Sequence, residues 1–149
     1  MKKICFICHA NICRSFGAQC IFNYLAAKDN NSEIVAISRG IYAQDFYAVP
    51  DKLWAFLKSK GIEKTEHKST LLTKEDLENC DLILTMTDDQ KEYILDRYAQ
   101  FTDKVFLLKE FVYDKEDEVK DPISFSGSSF NKVMEQIYKT VVDLYEKIK

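Results

Sequence analysis

Short apolar runs alternate along this chain with stretches of helical period, and the alternation predicts its elements. Lys2 to Cys8 reads as a buried strand, and residues 15–28 follow as a helix with Ala18, Ile21, Phe22 and Leu25 on one face. Glu33 to Ser38 is a second strand, ended by Arg39-Gly40. Pro50 opens a helix whose apolar positions are Leu53, Trp54 and Leu57 and whose stop is Gly61. Thr73-Lys-Glu-Asp76 resembles a capping box for a short helix ahead of a third strand, Asp81 to Met86. A charged helix from about Asp88 to Tyr98 and a fourth strand around Lys104 to Leu108 come next. The last helix has the clearest period, with Phe130, Val133, Met134, Ile137, Val141, Leu144, Tyr145 and Ile148 marking one buried face. Asp114 to Gly127 is the most loop-like segment, acidic and then rich in serine.

This order predicts the α/β class: a four-stranded parallel sheet with helices on both faces, joined by right-handed crossovers. A length of 149 residues and a hydrophobic fraction of 46% suit a single domain over residues 1–149. In such folds ligands bind at the carboxyl ends of the strands, which directs attention to the residues after Cys8.

Composition narrows the function. A net charge of −3 with both signs interspersed argues against a nucleic-acid partner held by phosphate attraction. The apolar run behind Met-Lys-Lys is too short for a signal segment or a membrane span, so no membrane partner and a cytoplasmic location are expected. Five cysteines without a secretory signal read as reduced thiols, and His9 and His67 lie too far apart in sequence to suggest a metal site.

The stretch Cys8-His-Ala-Asn-Ile-Cys-Arg14-Ser15 carries the chemistry. If the backbone between Cys8 and Arg14 wraps into a loop with its N–H groups inward, both side chains face one bound oxyanion. Ser15 falls at the expected N-cap, so the positive end of the helix dipole points at the same anion. Such surroundings favour the thiolate, the nucleophilic form of cysteine, and an arginine can hold two phosphate oxygens bidentately. The loop residues His9, Ala10, Asn11, Ile12 and Cys13 are then the anion-binding residues. Cys5, inside the strand, reads as a core thiol.

A cysteine that displaces an alkoxide or phenoxide from phosphorus needs a proton donor for the leaving group and later a base for water. Asp121, followed by Pro122 in the loop-like segment, is the candidate. An Asp-Pro pair also serves simply to start a turn, and residue types alone weigh the two readings evenly.

Taken together, these residues resemble the low-molecular-weight protein tyrosine phosphatases over nearly the whole chain. That family carries an N-terminal C-x5-R-S loop with asparagine three residues after the nucleophile, and a distal Asp-Pro. The resemblance implies Cys8 as nucleophile, Arg14 as oxyanion ligand, Asp121 as acid and base, and Ser15 assisting thiolate departure. It implies a loop support made by Asn11, Ser15, Ser38 and His67. It also implies a monomer that needs no metal or organic cofactor and takes a phosphorylated protein as substrate. The segments Met86-Thr-Asp-Asp and Asp103 to Phe111 are similar to the bacterial branch that contains arginine phosphatases.

This chain departs from the family at several points. Ala10 stands where glycine is usual, and a positive φ there would cost about 1–2 kcal/mol. Phe16 replaces proline, Arg39 replaces alanine, Ser69-Thr70 replaces Ala-Arg, and Ile123 follows Asp-Pro where an aromatic is usual. Tyr42, Phe46 and Tyr47 are alternative wall residues for an aryl substrate. Phosphotyrosine is the first substrate reading, because Ile12 offers a bulky apolar wall where the arginine-phosphatase branch resembles having threonine. Phosphoarginine is the second. An arsenate-reductase-like enzyme and a weakly active oxyanion-binding module follow. Cys13 reads equally as a redox partner for Cys8 and as a packed thiol.

Overall fold

The computed structural model describes residues 2–149. Its strands are β1 (Lys2–Cys8), β2 (Ile34–Gly40), β3 (Leu82–Thr85) and β4 (Val105–Leu107), all parallel and ordered β2-β1-β3-β4. The central strand β1 is apolar on both sides because both of its faces are covered. Ile4, Phe6 and Cys8 face a core completed by Ala18, Ile21 and Phe22 of α1 (Arg14–Lys28). Met134, Ile137, Val141 and Leu144 of α6 (Gly127–Ile148) close the same core. Cys5 and Ile7, one residue out of phase, face a second core containing Leu77 of α3 (Lys74–Asn79) and Ile94 of α4 (Asp88–Arg97). Each large side chain so buried contributes about 1.5–3 kcal/mol relative to exposure, enough to hold the register of β1.

The expected four-stranded sheet with helices on both faces is present, and most elements lie where the patterning places them. The helix opened by Pro50, α2 (Asp51–Ser59), ends as expected at Gly61. There φ is +83°, and the Gly61 and Ile62 amides bond back to Lys58 O and Leu57 O at 3.0 and 2.9 Å. This is a Schellman closure, which requires the left-handed residue. The capping box at Thr73 and Asp76 is also formed.

Four boundaries differ. Helix α1 starts at Arg14 with Cys13 in the capping position, so Ser15 is not the N-cap but lies inside the first turn. The cause is the preceding loop, which makes the entry turn itself, leaving Gly17 N–H to open the ladder to Cys13 O at 2.8 Å. Strand β2 runs on through Arg39 and Gly40, paired with Ile7 and Cys8. Arg39 is tolerated there because its Nε donates to Asp76 at 3.0 Å. A 3₁₀ turn, Ala99–Lys104, precedes β4. A helix not anticipated from the pattern, α5 (Leu108–Tyr113), follows β4 directly. Its single turn and a half is too short to display a period, and Glu110 holds its start by accepting the Leu107 amide at 3.1 Å and pairing with Lys91 at 2.9 Å.

Chain direction reverses across the sheet at β1: the path leaves toward β2 and returns to β3 on the other side. The carboxyl ends of β1 and β3 therefore form the crevice where this class of fold places ligands.

Candidate active site

Between Cys8 and Arg14 the backbone forms a loop whose carbonyls are drawn outward by a ring of donors. Ile41 N–H bonds to Cys8 O at 3.1 Å and Tyr42 N–H to His9 O at 2.9 Å. Ser69 Oγ donates to Ala10 O at 2.6 Å, and His67 Nε2 lies 2.7 Å from Asn11 O. A carbonyl can only accept, so His67 carries its proton on Nε2. In a trans peptide the N–H points opposite to the C=O, so outward carbonyls turn the following amides toward the interior of the loop. The loop can approach β2 this closely because residue 40 is glycine. A Cβ there would stand 2.7 Å from His9 O and 3.0 Å from Asn11 N.

The left-handed residue of the loop is Asn11, with φ 59°, and Ala10 is not among the residues with positive φ. The strain anticipated at Ala10 is therefore absent, since the turn falls one residue later on a type that tolerates it. Asn11 is fully buried and satisfied on both sides of its amide. Its Nδ2 donates to Ser15 Oγ at 2.9 Å and its Oδ1 accepts Thr70 N–H at 3.0 Å. Ser15 Oγ in turn stands 2.9 Å from Cys8 Sγ. Asn11 is thus bonded through its side chain to Ser15 and through its carbonyl to His67.

Ser38 does not belong to that network. It sits on the side of β2 that faces α1, where its hydroxyl donates to Gln19 at 2.6 Å. Thr70 supplies the contact to Asn11 instead. His67 is further held by Phe16, whose ring stacks on it with centroids 3.7 Å apart and 17° between planes. Trp54 packs against Phe16 in an edge-to-face arrangement at 5.5 Å. Burial lowers the His67 pKa and the Arg39 charge adds to this, against an upward pull from the Asn11 carbonyl.

Cys8, Ala10, Ile12, Cys13, Arg14, Asp121 and Ile123 line one small cavity of about 40 Å³. Arg14 spans it, with Nη1 donating to Val119 O at 3.0 Å and Nη2 lying 3.7 Å from the Asp121 carboxylate. Its side chain is 5% exposed, whereas that of Asp121 is 50% exposed, so the arginine is a fixed charge and the carboxyl faces the mouth. Asp121 Oδ1 also accepts the Ile123 amide at 3.1 Å. The expected turn role and the placement beside Arg14 coexist in this one residue.

Two loop residues read as substrate contacts do not line the cavity with their side chains. His9 is exposed and packs against Tyr42 with the rings tilted and centroids 4.5 Å apart, and Asn11 is buried. Cys13 is 4% exposed, and burial together with the neighbouring Cys8 and Asp121 pushes its thiol up to about 12. Cys5 has C-x-x-C spacing to Cys8, yet residues three apart in a strand point to opposite faces. Cys5 accordingly belongs to the second core, beside Cys80. Among the described residues no group of three or more His, Cys, Asp or Glu side chains is arranged to hold a metal ion.

Sequence reading overlooked three contributors: Ser69, Gly40 as a close-approach site, and Val119 O as the anchor of Arg14. Ser69-Thr70 was visible only as a departure from a family pattern. The other two leave no local signal, because their partners lie 29 or more residues away in the chain.

The family model for low molecular weight phosphotyrosine protein phosphatase matches residues 3–149. A protein-arginine-phosphatase of Bacillus subtilis strain 168 is 31% identical over 147 residues, covering 98% of this chain and 96% of that protein. The low molecular weight protein-tyrosine-phosphatase PtpB of Staphylococcus epidermidis is 33% identical over 147 residues, covering 99% and 96%. Among solved structures, the low molecular weight protein tyrosine phosphatase of T. tengcongensis superposes with a TM-score of 0.91 at 31% identity, covering 99% and 100% of the two chains. A YwlE mutant from Bacillus subtilis gives 0.92 at 28% identity, covering 99% of each. The chain is a member of the low molecular weight phosphotyrosine protein phosphatase family.

Proposed function

We propose that this chain hydrolyses phosphotyrosine on proteins through a phosphocysteine intermediate. The observation that carries the proposal is the shared cavity: Cys8, Arg14 and Asp121 line it together, with a buried guanidinium 3.7 Å from the carboxyl. Cys8 attacks phosphorus in line while Asp121 protonates the departing oxygen. The loop amides and Arg14 stabilise the equatorial oxygens, whose charge must be held by fixed dipoles and a fixed cation. Water then attacks the phosphocysteine with Asp121 as base, and the Ser15 hydroxyl supports the departing thiolate.

Ile12 and Ile123 supply apolar walls beside the anion pocket, which suits a flat aryl group. A second reading, phosphoarginine, is favoured by relatives named protein-arginine-phosphatase at 31% and 29% identity. Parallel assays on phosphotyrosine and phosphoarginine peptides decide between them, with Ile12→Thr expected to move preference toward phosphoarginine. Cys8→Ser is expected to abolish turnover while keeping phosphate binding, and Asp121→Ala to lower kcat by about 10²–10⁴. Near-normal turnover by either variant would remove that residue from its role.

A further inference from the structure

Lys52, near the start of α2, is distant in sequence from Asp121, yet its ammonium holds the trailing half of the loop that carries that carboxyl. Nζ donates to Ile123 O and to Phe125 O, both at 2.7 Å, and lies 4.8 Å from the Phe130 ring centroid. The same segment is drawn tight by Phe125 N–H to Pro122 O at 2.9 Å. Its leading half is anchored separately: Val119 N–H bonds to Met86 O at 2.8 Å, and Val119 O accepts from Arg14 at 3.0 Å.

The Asp121 carboxyl is tied within its own loop, where Oδ1 accepts the Ile123 amide at 3.1 Å. It is half exposed, and at 3.7 Å from Arg14 it is beyond hydrogen-bond range. Its place is therefore set through the segment on either side, and on the trailing side Phe125 packs against the core while Lys52 supplies the hydrogen bonds from outside the loop. An ammonium suits this task because it is a compact point charge with three donors. It can serve two carbonyls while its position over an aromatic face adds attraction. Proton transfer needs the donor within hydrogen-bond reach of the leaving oxygen, and a displacement of about 1 Å costs on the order of 10² in rate.

We propose that Lys52 is a positioning residue for Asp121: by gripping the Ile123 and Phe125 carbonyls it fixes the segment that presents the carboxyl to the leaving-group oxygen. This rests on reading Asp121 as the proton donor.

The test uses leaving groups of different need. Phenol, with a pKa of about 10, leaves poorly unless protonated, whereas p-nitrophenolate spreads its charge into the nitro group and leaves readily. Lys52→Met is expected to lower kcat/KM for phenyl phosphate about tenfold more than for p-nitrophenyl phosphate. Competitive inhibition by inorganic phosphate is expected to stay unchanged, because the loop from Cys8 to Arg14 is untouched. Lys52→Arg, which keeps charge and donors, is expected to recover most of the phenyl phosphate rate. Asp121→Asn, run alongside, is expected to show the same leaving-group dependence more strongly. If Asp121→Asn is selective but Lys52→Met affects both substrates equally or neither, the positioning role is overturned. Weakened phosphate inhibition in Lys52→Met overturns it as well, since the anion cradle would then be disturbed. If Asp121→Asn shows no selectivity, the proton-donor reading fails and the role of Lys52 falls with it.

Discussion

Ser15 Oγ stands 2.9 Å from Cys8 Sγ while accepting the Asn11 side-chain amide at 2.9 Å. An amide nitrogen can only donate, so the hydroxyl accepts from Asn11 and keeps its own hydrogen available to a Cys8 thiolate. The hydroxyl beside Cys8 is thus held by a fully buried asparagine whose other end bonds to Thr70.

Loss of that donor is expected to show in the second half-reaction, where sulfur must leave phosphorus with a negative charge. Ser15→Ala is expected to lower kcat about tenfold, or about 1.4 kcal/mol of barrier, with a smaller effect on kcat/KM. Phosphocysteine should accumulate as a larger pre-steady-state burst of p-nitrophenol. An unchanged kcat would mean that the hydroxyl only packs the loop.

Ser69 is expected to matter although it touches neither cavity nor nucleophile. Ser69→Ala leaves the Ala10 carbonyl without its 2.6 Å donor in a part-buried setting, at a cost of about 1 kcal/mol. The thermal midpoint should fall by several degrees, and inorganic phosphate should inhibit more weakly, because a peptide free to rotate no longer aims its amide inward. A drop in stability with undiminished phosphate affinity would separate the hydroxyl from the anion site.

His67 gives the loop a pH dependence of definite sign. Burial holds its folded pKa below the usual value of about 6.5, so the unfolded chain binds the proton more readily. Its contribution is full above that unfolded value and is lost as pH falls through the folded one. Denaturant unfolding should therefore show wild type losing more stability than His67→Gln between neutral and mildly acidic pH. Glutamine can still donate to Asn11 O but does not titrate. Parallel slopes for the two proteins would contradict this.

Cys13 shares the cavity wall with Cys8, but its thiol is pushed up to about 12. Closing a disulfide onto oxidised Cys8 requires the Cys13 thiolate, which is scarce at neutral pH. The dithiothreitol-reversible share of peroxide inactivation is expected to be small at neutral pH, to rise with pH, and to disappear in Cys13→Ser. A reversible share independent of pH would show that thiolate supply does not limit closure.

Much of the fold was readable because its signals are local. The both-faced apolar run of β1, the period of α6 and the glycine stop after α2 each arise from neighbours a few residues apart. The short helix α5 escaped because it has no full period to display. At the site, Cys8, Arg14, Asn11 and Ser15 could be read as one loop, since the chemistry of an anion cradle is written in contiguous residues.

What lies across the chain could not be read so. Sequence determined that a cysteine and an arginine would end the first strand in a phosphate-sized loop, and that a distant Asp-Pro was available to serve it. Tertiary structure decided which residues hold that loop in shape. It passed over Ser38, whose strand face turns it to Gln19, and brought in Ser69, Thr70 and the Phe16 ring stacked on His67. It also put the left-handed residue at Asn11, leaving Ala10 outside that region, and seated the loop against Gly40. The reason is physical: an outward carbonyl or a half-exposed carboxyl is held by whichever donor the packed sheet brings within about 3 Å, and that proximity has no counterpart in residue order.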